Sequence, residues 1–303
     1  VEYTAEIIPQ DTYSYTRPVV LLIMGLGMQL VAWPPQLIDA LVDAGFRVIR
    51  MDNRDIGLSQ SFDHFGKPNV LWAGLKYKLG FKVRAPYSLE DMAQDALGAL
   101  SALGVDRAHV VGVSMGGMIA QRVAIAAPHR VLSLTSIMSS SGAKGLPQAK
   151  PEVGRVLLSR PASHAPEAVV DHYVKMFKAI GSPAYPVHEP ELRERILLGV
   201  ELSYHPEGTL RQMLAIVADT QRTALLSKIT SPTLVLHGRA DPLVPYANGE
   251  DTAARISGAR LVGFDGMGHD LPAEPLALML DEMIPHLQAA EPPAAYLTPK
   301  AKA

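Results

Sequence analysis

The stretch HVVGVSMGGMIAQ, residues 109–121, carries a strand-like run of Val110, Val111 and Val113 into a serine between glycines, Gly112-Val113-Ser114-Met115-Gly116. Chance supplies such a pentad in roughly one chain in ten of this length, so its surroundings must decide its meaning. The run that follows, MGGMIAQRVAIAAP (115–128), reads as a helix. Ser114 is then either an ordinary helix N-cap or a nucleophile held on a tight strand-to-helix turn. Such a turn forces unfavourable backbone angles and demands small residues two positions to either side. Gly112 and Gly116 meet that demand. The N–H of Met115, at a helix N-terminus, would face a substrate carbonyl oxygen and form half of an oxyanion hole.

A serine hydroxyl attacks only when a base takes its proton, and the base needs an acid to orient it. Asp241 follows a strand-like run in LVLHGRADPLVP (234–245), and His269 sits in the glycine-rich end of LVGFDGMGHDLP (261–272). Serine, acid and histidine thus come in the order expected of a parallel sheet whose reactive residues stand on loops after strand carboxyl ends. Asp241 could also be no more than an Asp-Pro turn initiator. Its rivals, Asp265 and Asp270, lie too near His269 in sequence for easy orientation. The second oxyanion donor is expected from IMGLGMQ (23–29), where Gly25 and Gly27 allow close backbone approach and Leu26 supplies an N–H, Gly27 being the alternative.

Outward from these motifs, six short apolar runs read as strands buried on both faces: 19–25, 46–52, 108–114, 131–140, 232–238 and 259–266. Helical patterns alternate with them, which predicts a mostly parallel sheet with helices on both sides. In SLEDMAQDALGALSALG (88–104), Ser88 and Asp91 form a capping-box pattern, with Leu89, Met92, Ala96, Leu97 and Leu100 on one face. Between residues 141 and 229 the strand signal gives way to helices with the stripes Val169, Val170, Tyr173, Phe177 and Ile180; Leu192, Ile196 and Val200; and Leu210, Met213, Leu214 and Val217. The expected organisation is a core of residues 1–140 and 230–289, a helical cap over 141–229 and a poorly ordered tail over 290–303.

The balance of 28 basic against 30 acidic residues, with no block of like charge, argues against nucleic acid or an anionic membrane as partner of a basic surface. The absence of cysteine removes disulfides and thiolate chemistry, and suits the cytoplasm, the expected location. No segment is apolar enough to span a membrane. The histidines show no metal-ligand spacing, so neither metal nor organic cofactor is expected. A homo-oligomer is compatible with the sequence.

With these residues in place, the chain resembles the α/β-hydrolases over about residues 17 to 288. The pentad, HGRADPLVP, GMGHDLP and DNRDIGLSQ (52–60) all follow that family's pattern, and LIMGLG, MDNRDIGLS and GHDLP are closest to esterases of the aclacinomycin methylesterase-like branch. The chain departs from many members by carrying Met24-Gly25 in place of His-Gly, which spares the backbone donor but alters packing of the oxyanion loop. The resemblance implies an α/β-hydrolase fold and a carboxylic-ester hydrolase, and the Met, Leu and Tyr side chains of the helical insert suit a small ester with an apolar acyl or aromatic group. Two alternatives stand beside it. The same triad could cleave a carbon–carbon bond or form a peroxyacid without cofactor, or the fold could serve a low-turnover ligand receptor. Asp52, Arg54 and Asp55 read as structural supports of their loop.

Overall fold

A computed structural model describes residues 2, 4–8 and 17–291 of the chain. The expected tail lies outside the described residues from 292 onward. Seven strands, β1 (Ala5–Ile8), β2 (Val19–Ile23), β3 (Arg47–Met51), β4 (Ala108–Val113), β5 (Val131–Ile137), β6 (Thr233–Gly238) and β7 (Arg260–Phe264), form one sheet in the order β1-β3-β2-β4-β5-β6-β7. Every neighbouring pair is parallel except β1 with β3. All six expected strands are present, with frayed limits. The run expected to 140 stops at Ile137, because Met138 turns the chain with φ +40°. The sequence reading did not include β1, whose four half-buried residues pair Ala5 with Met51 at the sheet edge.

The continuous apolar runs are explained by the sheet's two covered faces. On β2, Val19, Leu21 and Ile23 enter one core, while Val20 and Leu22 enter the other. The helices outside the β5–β6 crossover are α1 (Pro35–Asp43), α2 (Val70–Lys78), α3 (Leu89–Ala102), α4 (Met115–Ala126), α9 (Ala247–Arg255) and α10 (Ala273–Ala289); within it run α5 (Pro151–Leu157), α6 (Pro166–Ile180), α7 (Glu189–Leu202) and α8 (Pro206–Ala218). The first core takes the apolar faces of α3 and α4, and the second takes Leu37, Ile38 and Leu41 of α1 with Leu276, Met279, Met283 and Leu287 of α10. Each buried Leu, Ile or Met contributes about 1.5–3 kcal/mol, so the double covering is what fixes the sheet's place. Ser88 caps α3 as its sequence indicated, accepting from Asp91 N–H while the Asp91 carboxylate accepts from Ser88 N–H.

Helices α5 to α8 each carry proline in the first turn, where its missing N–H costs nothing. The α8 stripe differs from expectation. Leu214 is buried, but Leu210, Met213 and Val217 are only partly so, and the deepest face is Gly208, Arg211, Gln212 and Ala215. Polar side chains can occupy that face because each finds a partner in the core, as described below.

Candidate active site

In the strand order, β3 lies on one side of β2 and β4 on the other. Loops leaving the carboxyl ends of β2 and β4 therefore diverge and leave a crevice, the place where open α/β sheets bind ligands. Ser114 follows β4 on one rim and Gly25–Leu26 follow β2 on the other.

Ser114 sits at φ +55°, ψ −119°, a conformation costing of order 1–3 kcal/mol for a side-chain-bearing residue. The surrounding backbone enforces it. A Cβ at position 112 would lie 2.1 Å from the Gly116 carbonyl oxygen, and one at position 116 would lie 2.0 Å from the Ile23 carbonyl oxygen. Only glycine lets strand, turn and helix close this tightly. The bland alternative for Ser114 has no support in the geometry, because its side chain caps nothing on α4. Its main chain is pinned instead: the N–H donates to Ile137 O at 2.9 Å, and the carbonyl accepts from Ser139 Oγ at 2.7 Å.

The three residues that the sequence placed on separate loops meet. Ser114 Oγ lies 3.0 Å from His269 Nε2, and His269 Nδ1 lies 2.6 Å from Asp241 Oδ2. Asp241 Oδ1 accepts from the N–H groups of Leu243 and Val244 at 2.9 and 2.8 Å. Asp241 is 5% exposed. Burial pushes its carboxyl pKa up, but His269, hydrogen-bonded at 2.6 Å, and His237, 3.6 Å away, outweigh burial and hold the carboxyl well below the usual range. An ionised Asp241 is an acceptor only, so His269 must carry its proton on Nδ1 and present Nε2 as the acceptor for the serine hydroxyl.

The histidine loop is held from both sides. Ala240 N–H donates to Met267 O at 3.0 Å, joining it to the acid's loop. His269 N–H donates to Ile180 O at 2.8 Å, and Gly268 N–H donates to Ser182 Oγ at 2.8 Å, joining it to the end of α6. Ser182 in turn donates from Oγ and from its backbone N–H to Asp270. So Asp270, a rejected rival for the acid, anchors the loop on the far side of the histidine, and Asp265 pairs with Arg239 at the surface.

A Cβ at Gly25 would stand 3.8 Å from Ser114 Oγ, which puts the oxyanion loop against the serine. The two candidates for its donor differ. Gly27, at φ +68°, gives its N–H to Gln212 Oε1 at 3.0 Å. The Gly27 N–H is thus already engaged.

The charged cluster after β3 is structural. Asp52 accepts from Leu30 and Leu58 N–H groups, Arg54 forms a two-pronged pair with Asp95, and Asp55 accepts from Arg211, Tyr87 and Phe62 N–H. Gln212 donates from Nε2 to Arg54 O at 2.8 Å. Sequence reasoning overlooked Arg211 and Gln212; their signal was the i, i+3, i+4 spacing of Gly208, Arg211 and Gln212 beside a weakly apolar stripe. Ser182 offered no comparable signal. Among the described residues no group of three or more His, Cys, Asp or Glu side chains could hold a metal ion.

Sheet, turn and three-loop convergence define a hydrolase of the α/β class, and the comparisons place the chain there. The model of the alpha/beta hydrolase fold matches residues 18–164, and that of TAP-like protein matches 215–295. Rhodomycin D methylesterase DauP of Streptomyces sp. (strain C5) is 32% identical over 280 residues, 85% of this chain and 87% of that protein. A 2-hydroxy-6-oxononadienedioate/2-hydroxy-6-oxononatrienedioate hydrolase of Cupriavidus pinatubonensis is 28% identical over 86% of this chain and 82% of its own length. The enol-lactonase of Burkholderia xenovorans LB400 superposes with a TM-score of 0.69 at 22% identity, over 94% of this chain and 96% of that one, a likeness of fold. The chain belongs to the α/β-hydrolase family.

Proposed function

We propose that the chain is a serine carboxylic-ester hydrolase. The observation that carries this reading is Ser114 Oγ, presented on a positive-φ turn 3.0 Å from His269 Nε2. Ser114 attacks the ester carbonyl as His269 takes its proton, and His269 then returns that proton to the leaving alcohol. Asp241 keeps the imidazole in the productive tautomer and stabilises its charged form. The N–H groups of Leu26 and Met115 hold the oxyanion, and Gly25, Gly27, Gly112 and Gly116 shape the turns around them. Water then attacks the acyl-enzyme by the same route with His269 as base. No metal or organic cofactor enters these steps.

Residues 141–229 form the cap of this reading, set over the core of 1–140 and 230–289, and they shape the acyl pocket. The substrate is a small ester with an apolar acyl or aromatic part, in keeping with the methylesterase relative. The same reading places the enzyme in the cytoplasm. A second reading, carbon–carbon bond hydrolysis by the same three residues, draws on the Cupriavidus relative. Ser114→Ala is expected to lower turnover of a short p-nitrophenyl ester on the order of 10⁶-fold with the circular dichroism unchanged. Undiminished turnover would overturn the assignment. Wild-type rates on esters and on a vinylogous diketone decide between the two readings.

A further inference from the structure

The exposed apolar surface of the molecule is unevenly spread. Of the thirteen large hydrophobic side chains exposed among the described residues, six fall within residues 71–81: Leu71, Trp72, Leu75, Tyr77, Leu79 and Phe81. They belong to α2 and the turn after it. Helix α2 is about 14 Å long, is capped by Asn69 Oδ1 accepting from Trp72 N–H at 2.9 Å, and is attached to the body through Ala73, which packs with Val83 and with Leu214 of α8. Trp72, Leu75, Lys76 and Leu79 share one face by their i, i+3, i+4, i+7 spacing. Together with Phe81 and Lys82 they line an open groove of about 400 Å³.

Charge on this stretch is as one-sided as its apolarity. Lys67, Lys76, Lys78, Lys82 and Arg84 occur with no aspartate or glutamate between Asp63 and Glu90. Lys67 is paired with Glu207 at 3.6 Å and Lys76 lies over the Trp72 ring at 5.6 Å. Among the described residues Lys78, Lys82 and Arg84 have no carboxylate partner. This stretch departs from the expectation that no block of like charge occurs along the chain, an excess that the overall charge of −2 hides.

We propose that α2 and the turn through Arg84 dock the protein peripherally on an anionic phospholipid surface. Exposed leucine and aromatic side chains interleaved with lysines along a short helix and its turn supply both the apolar and the cationic contacts that an anionic headgroup layer and its acyl boundary take up. Lysine stems can lie along the acyl boundary while their ammonium groups reach phosphate. The groove accepts one acyl chain, with Lys76 and Lys82 beside it for the headgroup. A second copy docking face to face would bring two such cationic patches together, which like-charge repulsion opposes. No helix among the described residues is long and apolar enough to cross a membrane. The inference is independent of the ester reading.

The full chain is mixed with phosphatidylglycerol–phosphatidylcholine vesicles and with pure phosphatidylcholine vesicles, and bound protein is separated by flotation. Binding to the anionic vesicles alone is expected, with release at high salt. The chain has two tryptophans, and Trp33 is 1% exposed, so a blue shift of emission on binding reports Trp72. Trp72→Phe should abolish the shift. The triple variant Lys76→Glu, Lys78→Glu, Lys82→Glu should partition on the order of 100-fold more weakly with an unchanged thermal unfolding midpoint. Leu79→Asp, which spares every cation, should also weaken binding. Equal binding to neutral vesicles, no binding to anionic ones, or undiminished binding by the triple variant overturns the proposal. So does lipid-free self-association that Leu79→Asp abolishes, or capture by polyglutamate with no affinity for vesicles.

Discussion

Asp55 and Arg211, 156 residues apart, form a two-pronged ion pair with Nε–Oδ2 at 2.8 Å and Nη2–Oδ1 at 2.7 Å, both side chains being almost wholly buried. The pair ties the loop after β3 to α8, and so the core to the helices between β5 and β6. Burial raises the Asp55 pKa, but hydrogen bonds from Arg211, Phe62 N–H and Tyr87 outweigh it and hold the carboxyl below its usual range. Arg211 also bonds Asp63 at 2.7 Å and Gly66 O at 3.0 Å. Truncation therefore strands a buried carboxylate and empties the space of a large side chain. Arg211→Ala is expected to cost about 3–5 kcal/mol, read as a lowered urea midpoint with little change in slope. Arg211→Lys keeps the charge but loses the fork and should fall between. A loss below about 1 kcal/mol for Arg211→Ala would show that the pair does not hold α8.

Ser182 links α6 to the loop that carries His269, and its replacement should separate positioning from binding. Ser182→Ala leaves Gly268 N–H without its acceptor and removes one donor to Asp270. The histidine then keeps Asp241 but loses restraint on its backbone. Small displacements of a reacting group are costly, so kcat on a soluble ester should fall roughly 10- to 100-fold while KM stays within about 2-fold. Ser182→Thr retains the hydroxyl and should restore most of the rate. Steady-state kinetics on both variants check this, and a change confined to KM would assign Ser182 to substrate binding instead.

What could be read in advance divides along a physical line. Requirements set by neighbouring residues were visible: the glycines on either side of Ser114 answer a steric demand within five positions, Ser88 caps its own helix, and each buried strand advertises itself as an apolar run. Asp241 and His269 could be placed near Ser114 because loops leaving the carboxyl ends of parallel strands all emerge at one rim of the sheet. Arg211 and Ser182 escaped because their partners are 156 and 88 residues away. Nothing local distinguishes an arginine that will be satisfied by a distant aspartate from one facing water. The aromatic and basic character of residues 62–87 was legible locally, but which of its side chains the fold would leave exposed was not.

His109 gives the fold an acid limit that can be assigned to one ring. It lies wholly buried in β4, edge-on to Phe46, with Nδ1 2.8 Å from Ser133 Oγ and Nε2 3.0 Å from Glu291 Oε1. Burial, reinforced by the charges of His286 and Arg107, pushes its pKa down to about 3. In the unfolded chain it returns to about 6.5. Between those values the unfolded state binds the proton and the folded state does not, so this group's stabilisation is complete above about pH 6.5 and is lost as pH falls toward 3. Its slope approaches about 1.4 kcal/mol per pH unit. Glu291, raised by burial, acts in the opposite sense near its own range, so the His109 effect is cleanest between about pH 6.5 and 5. His172 and His286, both lowered by burial, add to the same limb and remain in any variant of His109. His109→Gln, which keeps hydrogen-bonding capacity without a titrating ring, should therefore reduce the slope of unfolding free energy against pH in that window without removing it. Urea titrations at a series of pH values measure it, and an unchanged slope would show that His109 does not set the limit.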